Sequence, residues 1–540
     1  MLSIGRAQDA RRARMGTLLD DAAERFATQA IVDTRASDVD PDRPLVGTYA
    51  TWAGFVRELA GRLREAGVRP WDRVAIFKGN HSDVVALTLA AARLGAIPAP
   101  LAWTHAPDVI ATMLGRLERP VLITDRERLR SGQLDAEKLR ALTSLTLVVD
   151  DDVDGLGDVV SLRALKGADP APPEVRRDHE PMVIMHTSGT TGVPKLVVHS
   201  ARTIANAARY ETRRVPILGL RHEDTVAFAD PFFHGRLTTG LVGAARSGPK
   251  LVLVADPDPS AVRDVLVEHA PTVVESAPNA FLSWEPIAAD PAEPFRDVRL
   301  YFNTFDPIHT RTVRVMLGAS KRRLPVWVQA LGQSESGPVA IGLFTRRSVR
   351  PGGRNRVGEA RAMPVSPFTR VRAVDPDTGK PVGRGKVGLL EVRRDPCLDY
   401  LGEHDRYLAK RRDGWWNLGD LGVVHRSGSI RLIDREVDRI ADASCIEVES
   451  TLLERLEKAT EVIVLAVRGD RPVPVLSTAD GEPIDDETWR AATAGLPPLA
   501  DPVFVGWDEF PRTATWKVRR HVLRERLLPG TATAGAGRWT

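Results

Sequence analysis

The sequence predicts an α/β protein, with a large N-terminal domain of layered, largely parallel sheets and helices and a small α+β C-terminal domain. Short apolar runs alternate with amphipathic stretches through most of the chain, the pattern of parallel strands linked by helices. At 540 residues the chain exceeds what one hydrophobic core organises. Near residue 435 the alternation gives way to a short helix–strand–strand–helix pattern, which marks the second domain.

Residues 73–77, 121–125, 145–150, 225–229, 251–254 and 272–275 are apolar runs of strand length. Residues 52–66 and 83–94 carry helical periodicity between them. The most apolar stretch, 84–101, is interrupted by Arg93 and Pro98 and is too short to span a bilayer, so a buried helix is expected. Ser200 is placed to cap a helix over 201–210. Beyond 435 the pattern predicts a helix at 448–456, strands at 461–467 and 473–476, and a last helix at 518–528. The expected division is 1–434, a junction at 435–438, a small domain at 439–528, and a disordered Gly/Ala/Thr-rich tail at 529–540. No internal repeat is present.

Composition narrows the function. Hydrophobic residues make up 43% and charged residues 27%, as in soluble globular proteins. The 75 basic and 71 acidic residues nearly cancel, and no basic block interleaves with aromatics, so no nucleic-acid partner is expected. Two cysteines, Cys397 and Cys445, without a CxxC motif, exclude a disulfide framework and a Cys-rich zinc site; the twelve histidines contain no HExxH pair. The first sixteen residues carry Arg6, Arg11, Arg12 and Arg14 without an apolar core, unlike a signal peptide. A cytoplasmic protein with no membrane partner is expected.

One segment carries most of the chemistry. An apolar run ending at His186 enters Thr187-Ser188-Gly189-Thr190-Thr191-Gly192, followed by Val193-Pro194-Lys195. Two glycines allow a tight turn whose backbone N–H groups approach an anion. Four hydroxyls add donors and Lys195 adds charge, so the loop suits a polyphosphate. A Walker loop is excluded, because the spacing fails and Pro194 precedes the lysine. The string resembles the phosphate-loop signature of the adenylate-forming superfamily, which includes acyl-CoA synthetases, peptide-synthetase adenylation domains and firefly luciferase. The resemblance continues in order along nearly the whole chain: Gly47-Thr48-Tyr49, 71–76, Pro231-Phe232-Phe233-His234-Gly235, Gly332-Gln333-Ser334-Glu335, 388–392, 416–421, Asp434-Arg435 with Asp438, and Pro511-Arg512-Thr513 with Lys517.

The resemblance implies ATP and Mg²⁺ as cofactors and attack of an acid oxygen on the α-phosphorus with loss of pyrophosphate. Thr187, Ser188, Gly189, Thr190, Thr191, Gly192 and Lys195 would hold the phosphates, with Thr190 also catalytic. Gln333, Ser334, Asp420 and Arg435 would hold the nucleotide, Asp420 and Arg435 at the ribose. Glu335 would be the catalytic metal ligand, and Lys517 would bridge the attacking acid and the α-phosphate. His234, Phe305, Leu331 and Gly332 would line the acid pocket. The small domain would be mobile, pivoting near Val437.

Four departures from the family pattern bear on substrate and acceptor. Leu196 follows the loop lysine in place of glycine. Leu331 stands where an aromatic residue usually stacks on adenine. Asn303-Thr304-Phe305-Asp306 replaces the usual Gly-Gly-Ala/Glu-Pro turn. Residues 440–448 contain no glycine pair, and Trp516 replaces the glycine before Lys517, although thioester-forming members keep bare backbone there for the pantetheine arm. Three functions remain open on sequence. The first activates a small or aromatic carboxylic acid and passes it to a thiol of CoA or a carrier protein. The second is an adenylating enzyme with another acceptor or acid, including amide- and lactone-forming relatives and diazo-forming enzymes that activate nitrite for an aromatic amine. The third is a non-catalytic nucleotide-binding regulator. The oligomeric state is not legible.

Overall fold

The computed structural model describes residues 10–531 apart from 132–135, 152, 154, 188–192, 213–217, 351–358, 362–368, 395, 436–439 and 441–443, with backbone alone for 136 and 359–361. The pivot expected at 435–438 falls, beyond Arg435, outside the described residues, as does most of the tail. The chain forms two compact units, one of Met1–Glu275, Ser334–Gly337 and Asp395–Tyr407, the other of Ser276–Gln333, Pro338–Arg394 and Leu408–Thr540.

In the first unit, five strands run in the order Ile97–Pro100, Arg73–Phe77, Val121–Thr124, Leu145–Val148 and Val160–Ser161, each parallel to its neighbour. Every residue of Val121–Thr124 is buried, as a sheet covered on both faces requires. The 84–101 stretch is not one helix. The helix Asp83–Arg93 ends and a strand, Ile97–Pro100, follows a turn at Gly95, whose φ is 70°. That strand lies at the sheet edge, the position that tolerates Pro98 and Pro100.

A second sheet places Val273–Glu275, Thr225–Phe228, Lys250–Leu253 and Ala30–Asp33 side by side and parallel, with Val46–Thr48 antiparallel at its edge. A hairpin, Val183–His186 and Leu196–His199, pairs with Asp399–Tyr400 in a third. The predicted cap at Ser200 is present: its hydroxyl accepts from Thr203 N, and Thr203 Oγ1 accepts from Ser200 N, starting the helix Ala201–Ala207.

In the second unit, Leu300–Asn303 lies parallel to Val326–Gln333, with Asn303 opposite Gln329. Arg370–Val374, Val387–Arg393, Trp415–Val424 and Ser429–Arg435 form an antiparallel run. The C-terminal part packs the helices Cys445–Arg455, Asp486–Thr493 and Arg520–Leu527 with the strands Ala459–Leu465, Val473–Thr478 and Val503–Phe504. Alternation in Ala459–Leu465 sends Val462 and Val464 to a core with Leu452 and Leu476. Ile463 and Leu465 meet Phe510 and Leu523 on the other face. The helix Asp486–Thr493, capped by Asp485, was not anticipated, because only Trp489 and Ala492 mark its apolar side. No helix among the described residues is long and apolar enough to cross a membrane.

Candidate active site

In the first unit the hairpin sets the phosphate loop. Thr187 N donates to Lys195 O at 3.1 Å, and Lys195 N donates to Thr187 Oγ1 at 3.1 Å, so both ends of the loop are pinned in one ring of hydrogen bonds. Ser188, Gly189, Thr190, Thr191 and Gly192 lie outside the described residues. Lys195 Nζ sits 5.3 Å from the centre of the Tyr400 ring, and the Tyr400 hydroxyl donates to Glu335 Oε1. Burial and the neighbouring Glu335 carboxylate push the Tyr400 phenol well above its ordinary range, so it remains a donor. Glu335 is 4% exposed, and its carbonyl accepts from Cys397 N at 2.6 Å. His199 Nε2 donates to the carbonyl of Ser334 at 2.8 Å, which fixes the backbone beside Glu335.

A wall of aromatic and imidazole rings stands next to the loop stem. Phe233 stacks on His186 at 4.9 Å, Trp103 meets Phe233 edge-on at 5.7 Å, and His105 lies 5.0 Å from His186. His186 Nδ1 donates to Thr187 O, and its Nε2 accepts from Ala102 N at 3.1 Å, which fixes one neutral tautomer. Burial pulls His186 down to about 4. His234 caps the helix Gly235–Ser247 by accepting Arg236 N at Nδ1, which leaves its proton on Nε2. Burial, then the neighbouring His186 and Arg236, pull His234 down to about 3.

In the second unit Asp420 lies directly opposite Arg435 in the strand ladder. Burial raises the Asp420 carboxyl, and Arg435, Lys517 and Lys410 oppose that rise. Burial and then the Arg435 charge lower the Lys517 ammonium, against the pull of Asp306. Lys517 Nζ donates to Asp306 Oδ1 at 3.0 Å. Gln333 donates to Leu418 O and accepts from Trp416 Nε1 at 3.3 Å, tying it to the strand that carries Asp420. Leu331 is half-buried and Gly332 exposed on the same strand as Gln333.

The turn at 303–306 is built from a buried asparagine. Trp327 Nε1 donates to Asn303 Oδ1 at 2.7 Å, and Asn303 Nδ2 donates to Asp306 O at 3.2 Å. Phe305 adopts φ 74° and Trp516 φ 62°, left-handed backbone that disfavours bulky side chains at a cost of about 1–3 kcal/mol each. Trp516 is the position where the family pattern carries glycine, and Phe305 falls at the third position of the turn that replaces Gly-Gly-Ala/Glu-Pro. Asn279 Nδ2 donates to Trp516 O at 2.9 Å, and Thr513 N donates to Lys517 O at 2.8 Å, so the strap that presents Lys517 is held at both flanks.

Sequence reasoning named Phe233 only as part of a motif and gave no role to Tyr400 or His186. Phe233 was visible in the Phe-Phe-His string; Tyr400 has no local motif, and only the pairing of Asp399–Tyr400 with Leu196–His199 brings it to the loop. Among the described residues, Asp38, His81 and Asp83 form a cluster of metal-ligand type. It is spoken for by protein donors: Asp83 takes Ser37 Oγ and the backbone N–H groups of Asp38 and Val39, and Lys78 Nζ lies 2.7 Å from Asp38.

A phosphate hairpin alone would suit many nucleotide enzymes. The class narrows because, in the first unit, the loop lysine and a buried glutamate share one tyrosine, and, in the second, a half-buried lysine pairs with Asp306 near Arg435 and the buried Asp420. Charges of that arrangement suit transfer of AMP to an anionic acid, the chemistry of AMP-forming ligases. The chain belongs to the AMP-binding enzyme family, whose model matches residues 22–398. It is 36% identical over 544 residues to the 3-amino-2-hydroxy-4-methoxybenzoate diazotase of Streptomyces cremeus, covering 97% of each chain. It is 26% identical to the 3-aminoavenalumate diazotase of a Streptomyces species, over 90% of each. The benzoate CoA ligase of Burkholderia xenovorans LB400 shares the fold, with a TM-score of 0.78 at 21% identity over 95% of this chain and all of that one. The protein is an ATP-binding, adenylate-forming ligase.

Proposed function

We propose that this ligase adenylates nitrite and passes the nitrosyl group to an aromatic amine of the aminobenzoate class, forming a diazonium product. The observation that carries this reading is the 36% identity, over 97% of both chains, to a diazotase acting on an aminobenzoate. The chain supports it locally: Trp516 puts a large side chain where thioester-forming relatives keep bare backbone.

In the first half-reaction a nitrite oxygen attacks the α-phosphorus and pyrophosphate leaves, giving a nitrosyl–AMP anhydride. In the second, the amine nitrogen bonds to the nitrosyl nitrogen, the N–O bond breaks, AMP leaves, and the nitrogen loses a proton. The N-nitrosamine then tautomerises to a diazohydroxide, takes up one proton and loses water.

Thr187, Lys195 and the loop between them hold the β- and γ-phosphates. The Glu335 carboxylate is a hard oxygen donor of the kind Mg²⁺ takes singly alongside phosphate oxygens, and the bound ion would neutralise phosphate charge. Asp420 and Arg435 hold the ribose, and Lys517 holds the α-phosphate. Phe233, His186 and His234, kept neutral, offer the aromatic ring a flat surface. The small domain, 439–528, acts as the mobile carrier of Lys517.

The test incubates the protein with ATP, Mg²⁺, nitrite and a panel of aminobenzoates and traps diazonium with an electron-rich phenol. AMP release and azo dye, both requiring nitrite and amine, are expected. The second reading is an aryl-CoA ligase, favoured by the shared fold with benzoate CoA ligase. CoA thioester formed from an aromatic acid, without any azo product, would establish it instead.

A further inference from the structure

Asp306 and Lys517 make an ion pair, and each is immediately preceded by an aromatic residue in left-handed backbone. Strain of this kind persists where the surrounding structure over-determines it, and it clusters at functional sites. Here it aims two side chains at each other: the 303–306 turn, fixed by Asn303, delivers Asp306, and the 513–517 strap delivers Lys517. The side chain of Lys517 is 12% exposed and that of Asp306 38%. Lys517 engages Oδ1 at 3.0 Å, so the more open carboxylate keeps Oδ2 as a further acceptor.

We infer that Asp306 is a catalytic residue of the second half-reaction, the carboxylate that binds the aromatic amine's N–H and takes its proton as the amine attacks the nitrosyl nitrogen. The inference rests on the diazotase reading above. As the N–N bond forms, the N–O bond to AMP breaks with its electron pair remaining on the phosphate oxygen. The proton lost from nitrogen passes to Asp306 Oδ2. Lys517, paired with the other carboxylate oxygen, offsets the Asp306 charge, so one side-chain pair serves an anionic leaving group and a proton-donating nucleophile. A carboxylate in the turn also repels an organic carboxylate presented there, while it accepts an amine. The turn thereby selects the nucleophile.

The experiment separates the half-reactions in the full-length protein. Nitrite-dependent ATP–pyrophosphate exchange reads the first, and trapped diazonium reads both. For Asp306→Asn, the ratio of diazonium formation to exchange is expected to fall about 100-fold, the scale of lost general-base catalysis. Asp306→Glu is expected to recover part of that ratio. Exchange in the same sample reports a folded, nucleotide-competent enzyme. An unchanged ratio, with both rates falling together, would overturn the inference, because Asp306 would then act only by positioning Lys517. The diazotase reading fails in a different place, as absence of nitrite-dependent exchange in the unaltered protein.

Discussion

At the scale of single residues, the proposed adenylation step rests on Lys517 and on the Glu335–Tyr400 pair. Lys517 is half-buried, lowered by its surroundings and held at 3.0 Å by one carboxylate oxygen, so its charge is oriented before any substrate arrives. Lys517→Ala is expected to cut adenylation by about 100-fold or more, as losing one preorganised donor costs ~3–4 kcal/mol of transition-state stabilisation. ATP binding, measured calorimetrically, should remain within about twofold, since the same interaction is weak in the ground state. Near-normal exchange would remove Lys517 from the mechanism. Tyr400 acts instead on Glu335, the proposed metal ligand. Tyr400→Phe takes away the donor to Glu335 and should raise the Mg²⁺ concentration for half-maximal exchange about tenfold, near the value of one hydrogen bond to a charged group. An unchanged Mg²⁺ titration would show that the phenol only fills space. Lys517 and Glu335 were proposed from the sequence because each sits in a long ordered motif. Tyr400 was not, because its function depends on strand pairing between residues some two hundred positions apart.

At the scale of elements, the loop stem and the Lys517 strap are the two constructions that matter. The stem depends on a neutral imidazole. His186 is held by burial at about 4, well below an exposed histidine, so unfolding takes up a proton between those values. A depressed histidine contributes stability that is fully present above about pH 6.5 and is lost as pH falls through its folded value. His186→Gln titrates nothing at this position. The stability gap between it and the unaltered protein, measured by urea unfolding, should shrink by on the order of 2 kcal/mol from pH 7.5 to pH 5. A gap that widens would mean that His186 is charged in the fold.

The strap stores strain at Trp516. Trp516→Gly removes a half-buried ring yet also relieves φ 62°, so thermal stability should stay level or rise despite the lost burial. A clear fall in Tm would mean that the ring packs more than the backbone strains. The missing glycines were visible in the sequence. The left-handed backbone that explains why glycine is usual there was not. The apolar run at 84–101 misled for a related reason. Hydropathy alone does not distinguish a buried helix from a helix followed by an edge strand, and Gly95 with Pro98 and Pro100 marks the break.

At the scale of the molecule, the layered α/β architecture and the order of motifs were readable, because parallel strands buried on both faces leave continuous apolar runs. The acceptor was not readable, because one sequence does not give the backbone geometry of positions such as Asp306, after Leu300–Asn303, and Trp516, on the terminal strap. Adenylation is common to the whole family; under the proposed function, the acid adenylated would distinguish this chain from the CoA ligases that share its fold. The most direct measurement is therefore ATP–pyrophosphate exchange with Mg²⁺, nitrite and benzoate-type acids compared as the sole acid. Exchange that requires nitrite and is not supported by benzoates alone is the predicted result. Exchange driven by an aromatic carboxylic acid, with nitrite inert, would contradict the account and return the protein to the thioester-forming branch of its family.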